Sequence, residues 1–218
     1  MRLALLLAFI PCLAAASPVT YSLDPAETEL VAITRPAGVL GGVAHSHVIA
    51  ARNPSGSVVY DADAPESSRV EVRVSAASIQ NDDPALRRKY GLEETIGDDD
   101  RRKIADSMRS GSQLGVEQHP DITFTSRSVK RLDDGHLEVS GQLAIHGVEA
   151  AIRLPVRVTV EGGVLRGEGT TRIYHHMFGM KPYSAGMGTI RNADGIELHL
   201  TLVGRSPAPG KTAVQASP

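Results

Sequence analysis

The chain is short of the residues that most often announce a chemistry. It has one cysteine, no tryptophan, three phenylalanines and five tyrosines in 218 residues. Cys12 lies inside an N-terminal apolar stretch, so a chain processed beyond that stretch has no cysteine. That excludes disulfides, thiol nucleophiles and cysteine-based zinc sites. Aromatics at 4% leave little for base stacking. An excess of one charge is lacking too. Twenty-three Lys and Arg against 25 Asp and Glu give a net charge of -2, which is no basic field for nucleic acid. No apolar run reaches the roughly 20 residues of a membrane-spanning helix. The sequence also has no Gly-x-Ser-x-Gly, no phosphate loop and no dinucleotide fingerprint. None of these enzyme motifs is present, and the alternative of a metal-dependent activity rests on the histidines.

What is present begins with a leader. Arg2 is followed by an apolar run, Leu3 to Leu13, and then by Ala14-Ala15-Ala16. A short positive region, an apolar core and a small-residue site are the parts of a secretory signal peptide. The mature chain is expected to start near Ser17, in the periplasm or outside the cell. Pro11 stands before Cys12, where a lipoprotein signal needs a small residue.

The mature chain reads as strand. Val70, Val72 and Val74 alternate with polar residues, as do Leu137, Val139, Leu143 and Ile145. Ile152 to Val160 and Ile196 to Leu202 repeat the pattern. A period of two means antiparallel strands with one buried face. Further strands are expected at Thr20–Leu23, Thr28–Thr34, Val43–Ala51, Gly56–Asp61, Ile122–Val129 and Val164–Tyr174. His146-Gly147 joins two alternating runs as a hairpin. Many short strands of this kind make an all-β barrel or sandwich.

One segment breaks the pattern. Residues 82–111 are rich in charge, with Ile104 and Met108 four apart. A helix capped by Asp98, Asp99 or Asp100 and ending near Arg109 is expected, with a shorter one around Pro84–Tyr90. Carboxylate pairs here, such as Asp82-Asp83, fit helix capping better than acid–base chemistry. Ser206–Pro218 reads as a disordered Pro/Ala/Ser tail.

Several segments resemble the YceI-like family. They are Tyr21-Ser22-Leu23-Asp24-Pro25-Ala26, Val70-Glu71-Val72 with Ala77-Ser78-Ile79, and His119 to Ser126 with its Pro-x-Ile-x-Phe core. Leu143 to Val148 and Phe178-Gly179-Met180 follow in order. Met177 departs from the pattern, standing where the family commonly has Asp. The resemblance covers residues 19–204 and implies one domain over 17–205. It implies an antiparallel lipocalin-like β-barrel that holds a lipid, polyisoprenoid or similar apolar chain, with no cofactor and no catalytic residues. The candidate lining is Ile33, Val72, Phe124, Leu143, Ile145, Leu154, Val156, Phe178, Leu198 and Leu200. Exposed edge strands would allow a homodimer.

The histidines carry the alternative. On a strand, His45 and His47 would share a face, and His176 or its neighbour His175 would join them from a later strand. Three imidazoles with an open position suit zinc or copper. Met177, Met180 and Met187 nearby would extend the reading to copper(I) or haem, and otherwise fill gaps at a barrel mouth.

Overall fold

The computed structural model describes residues 17–37, 45–92, 95–185 and 190–207. The leader expected at 1–16 lies outside them, and so do residues 208–218 of the expected tail, Gly38–Ala44 and Met187. The described part of the tail is anchored, since Ser206 N donates to Gly163 O over 2.9 Å.

The strands are β1 (Val19–Leu23), β2 (Glu29–Ala37), β3 (His47–Ala50), β4 (Ser55–Tyr60), β5 (Arg69–Ser75), β6 (Gln80–Asn81), β7 (Asp121–Arg131), β8 (Leu137–Ile145), β9 (Val148–Glu161), β10 (Val164–Tyr174), β11 (Ser184–Ala185) and β12 (Ile190–Arg205). Their pairings are antiparallel. Eight of them close a ring in the order β1-β4-β5-β7-β8-β9-β10-β12 and back to β1. The long β12 makes the closure. Its last residues pair with β1, Leu23 opposite Gly204, while its earlier part pairs with β2. From there β2, β3 and β6 extend as a side ladder along one wall.

Patterning dictates this arrangement. In β8, Leu137, Val139, Gly141, Leu143 and Ile145 are all buried and the residues between them are not. A one-residue slip would turn that whole set to solvent, so the alternation fixes register as well as face. The β8–β9 turn is set by local chemistry. His146 and Gly147 have φ of 54° and 72°, the pair of left-handed residues that a two-residue hairpin of matching twist requires. Only glycine fits at 147, because a Cβ there would lie 2.5 Å from the His119 ring.

The helical insert is α1 (Pro84–Lys89) and α2 (Asp98–Arg109). Asp83 caps α1, accepting from Ala85 N and Leu86 N. Gly97, not an aspartate, is the N-cap of α2. Asp98, Asp99 and Asp100 occupy its first turn and pair with Arg101, Arg102 and Lys103. Acidic residues there also suit the positive end of the helix dipole.

The wall formed by β2 and β3 is buried on both faces. Leu30, Ala32 and Thr34 point into the barrel. Val31, Ile33, Val48 and Ala50 point out and are covered by Leu92, with Leu86 and Tyr90 of the α1 region. Ile33 therefore belongs to this outer layer and not to the lining. Alternation marks which residues share a face, but a strand covered on both sides gives no sign of which face is the inside.

Candidate functional site

The barrel is not filled. A cavity of about 290 Å³ runs through it. Of the ten residues expected to line it, Val72, Phe124, Leu143, Ile145, Leu154, Val156, Leu198 and Leu200 do so. Leu198, Leu200 and Phe124 point inward and are only half buried, because the surface they leave uncovered faces the cavity. Phe178 is a correction, like Ile33. It lies in the short 3-10 turn His175–Phe178, is 0% exposed, and packs with Ile173, Met180 and Ile196 as part of the stopper at one end. Met180 borders the cavity in its place.

Phe124 owes its position to Gly141. A Cβ at Gly141 would lie 2.6 Å from the Phe124 ring, so the glycine makes room for the ring to lie across the barrel. Phe124 then touches both inner clusters, the one around Ile145 and Ile173 and the one around Val129 and Leu154.

Sequence reading missed the roof. Met108 of α2, together with Gln113 and Leu114 of the following loop, borders the cavity, as do Ile49 and Ile79. Residues Ile104 and Met108 at helical spacing were the available signal. Three side chains pin this roof to the barrel. Asn81 Nδ2 donates to Arg101 O over 3.2 Å, Gln113 Nε2 donates to Lys181 O over 2.9 Å, and His146 Nε2 lies 3.0 Å from Gly111 O. The other ring nitrogen of His146 is 3.4 Å from Phe178 O. A neutral ring can donate to only one carbonyl, and the shorter contact to Gly111 is the better placed. His146→Asn keeps a residue tolerant of positive φ and removes the link. Amide exchange across residues 110–116 should then speed up about fivefold to tenfold, the equivalent of one net hydrogen bond, while β8 and β10 stay protected.

The histidines do not assemble as a metal site. His45 precedes β3, so the strand rule that would set it beside His47 does not apply. His47 Nδ1 lies 2.9 Å from Asp82 Oδ2. His176 stacks near Tyr174, at 5.5 Å between ring centres, and its Nδ1 meets Asp194 Oδ2. His175 turns inward, borders the cavity, and has Nδ1 2.8 Å from Asp194 O. The register break in β12 between Asn192 and Ile196 is what presents Asp194 to both rings. Among the described residues no three His, Cys, Asp or Glu are grouped to hold a metal ion.

Asp82 is the second surprise. Of the Asp82-Asp83 pair only Asp83 caps the helix, and the Asp82 side chain is 0% exposed. It accepts from Val48 N, Arg87 Nη1 and Asn81 Nδ2 and meets His47 Nδ1. Burial pushes its carboxyl up, but the hydrogen bond and charge of His47, then Asn81 and Arg87, outweigh that and hold it below the ordinary 3.8.

Among the described residues, no Asp, Glu, Lys or Arg borders the cavity. Such a space removes an apolar chain from water and offers nothing to a buried charge. Among the described residues no helix is long and apolar enough to cross a membrane.

The profile of the YceI-like domain matches residues 21–203. A UPF0312 protein of Shewanella sp. strain ANA-3 is 28% identical over 197 residues, 87% of this chain and 89% of that protein. A UPF0312 protein of Azotobacter vinelandii is 28% identical over 155 residues, 66% of this chain and 71% of its own length. Among solved structures, BcnA of Burkholderia cenocepacia superposes with a TM-score of 0.62 at 18% identity, over 83% of this chain and 98% of that one. The YCEI protein of Campylobacter jejuni gives 0.56 at 15%, over 73% and 84%. Identities this low speak to the fold. With the profile spanning β1 to β12, the chain belongs to the YceI-like family.

Proposed function

We propose that this protein is a non-catalytic carrier of the cell envelope that encloses an apolar chain in its barrel. The chain would be a polyisoprenoid, an isoprenoid quinone tail or a fatty-acyl tail. The observation that carries the reading is the closed barrel with an uncharged cavity of about 290 Å³. Each methylene taken from water into such a space contributes about 0.8 kcal/mol before the costs of association. No step of this function calls for a metal or a haem. The leader at 1–16 supports a periplasmic or secreted location, and N-terminal sequencing of the exported protein should then begin near Ser17.

Native mass spectrometry of protein purified without detergent tests the carrier reading. An adduct of lipid-like mass, lost on delipidation and regained with an added acyl or isoprenoid compound, is the expected result. A bare mass, together with a delipidated protein that takes up no apolar probe, would sink it.

A further inference from the structure

The cavity wall is apolar with a few exceptions, and three of these, Thr34, Ser68 and His199, hold a buried polar atom with no hydrogen bond among the described residues. The His199 ring packs against Tyr90 at 5.0 Å and its Nε2 lies 3.8 Å from Glu197 Oε2, so it has a charged neighbour and the two hydroxyls, Thr34 Oγ1 and Ser68 Oγ, have none. Thr34 is only 4% exposed. A buried hydroxyl left unpaired weakens a fold, so one kept at the wall of an open space marks a place that a ligand can complete.

The two hydroxyls differ in company. Thr34 stands opposite Ile196 in the β2–β12 register, and Ile196 stands opposite Ile173 in the β10–β12 register. His175 follows Ile173 by two residues, is buried, and borders the cavity at the same end. Its Nδ1 faces Asp194 O at 2.8 Å. A carbonyl only accepts, so Nδ1 carries the hydrogen and Nε2 of the neutral ring is an acceptor. Thr34 supplies a hydroxyl that donates or accepts. The same end of the barrel thus holds a donor and an acceptor, Thr34 in the β2–β12 ladder and His175 in the turn just beyond β10. Ser68 directly precedes β5, whose Arg69 stands opposite Val59 of β4, so it belongs to strands other than the β2–β12 ladder that holds Thr34.

We propose that Thr34 and His175 seat the uncharged, hydrogen-bonding head of an apolar-chain ligand. The head class is a primary alcohol, an amide or a ketone. Carboxylates and phosphates are disfavoured there at mildly alkaline pH, because among the described residues no Lys or Arg borders the cavity to meet them. This inference rests on the carrier reading and deepens it by naming the head.

The test is displacement of the neutral fluorophore N-phenylnaphthylamine from delipidated protein by decane, decanol, decanamide and decanoate at mildly alkaline pH. Thr34→Val should weaken decanol and decanamide about fivefold to tenfold and leave decane unchanged or tighter. Thr34→Ser should restore the wild-type order. His175→Leu should weaken decanol in the same sense. Ser68→Ala should change none of them, and decanoate should bind at least about tenfold more weakly than decanamide. Equal shifts for decane and decanol in Thr34→Val would overturn the proposal. So would a loss of head-dependent binding in Ser68→Ala instead, or decanoate binding as well as decanamide. A protein that takes up none of the four, decane included, would overturn the carrier reading itself.

Discussion

Replacing Arg87 with methionine is expected to lower the unfolding free energy by about 3–5 kcal/mol, as does stripping one partner from a buried ion pair. Arg87 is 4% exposed and its Nη1 donates to Asp82 Oδ1 over 2.6 Å and to Ser46 O over 2.8 Å. The three bonded segments are α1, the turn before it, and the chain entering β3. Methionine keeps much of the volume and removes the charge, so the loss measures a buried carboxylate left with only His47, Asn81 and Val48 N, and not a cavity. Urea unfolding reads it. A cost below about 1 kcal/mol would show that Asp82 does not depend on this partner. Arg87→Met combined with Asp82→Asn should recover part of the loss, because the buried charge that has lost its guanidinium partner is then gone.

The sign with pH follows from the same groups. The Asp82 carboxyl is held below 3.8 in the folded protein. Its contribution to stability is therefore present above about 3.8, the ordinary value, and is lost as pH falls through the lower folded value. In Arg87→Met one of the opposing partners is missing while burial remains, so the acid-unfolding midpoint should move to higher pH. The consequence reaches the cavity, since β3 supplies Ile49 to the wall that this cluster anchors.

Strands and their faces were legible where one side is wet. Leu137–Ile145 and most of β9 follow directly from alternation, and the inward residues of β8, β9 and β12 line the cavity. Legibility failed where burial is two-sided or comes from elements remote in sequence. Ile33 is as apolar as Leu198, but a helix covers its side of the strand. Phe178 sits in a 3-10 turn, where a period of two has no meaning. Asp82 looks like any acidic residue before a proline-started helix. Only the approach of His47, 35 positions earlier, makes it a buried centre. Thr34 shares the inward parity of Leu30 and Ala32, but a polar residue carries no apolar signal to mark it as lining. The histidine pair misled for a different reason. A spacing of two means a shared face only inside a strand, and β3 starts at His47.

Gly167→Leu is expected to abolish uptake of apolar chains, by at least about 100-fold, while leaving the barrel folded. Gly167 is in β10, opposite Val158 and Leu202, and borders the cavity. A Cβ added there meets nothing within 4 Å, so the side chain grows into the space the ligand would use. Glycine in a strand interior has excess freedom to lose on folding, and a packed leucine should raise stability by up to about 1 kcal/mol. Gly169, two residues on, is the contrast. A Cβ there would lie 2.5 Å from Pro155 O, so Gly169→Ala should destabilise without filling anything. The pair separates blocking from damage. Loss of binding with a higher melting temperature in Gly167→Leu places the chain inside the barrel. Undiminished binding by a folded Gly167→Leu protein would mean that any apolar ligand sits elsewhere, and the carrier reading would fail on its central claim.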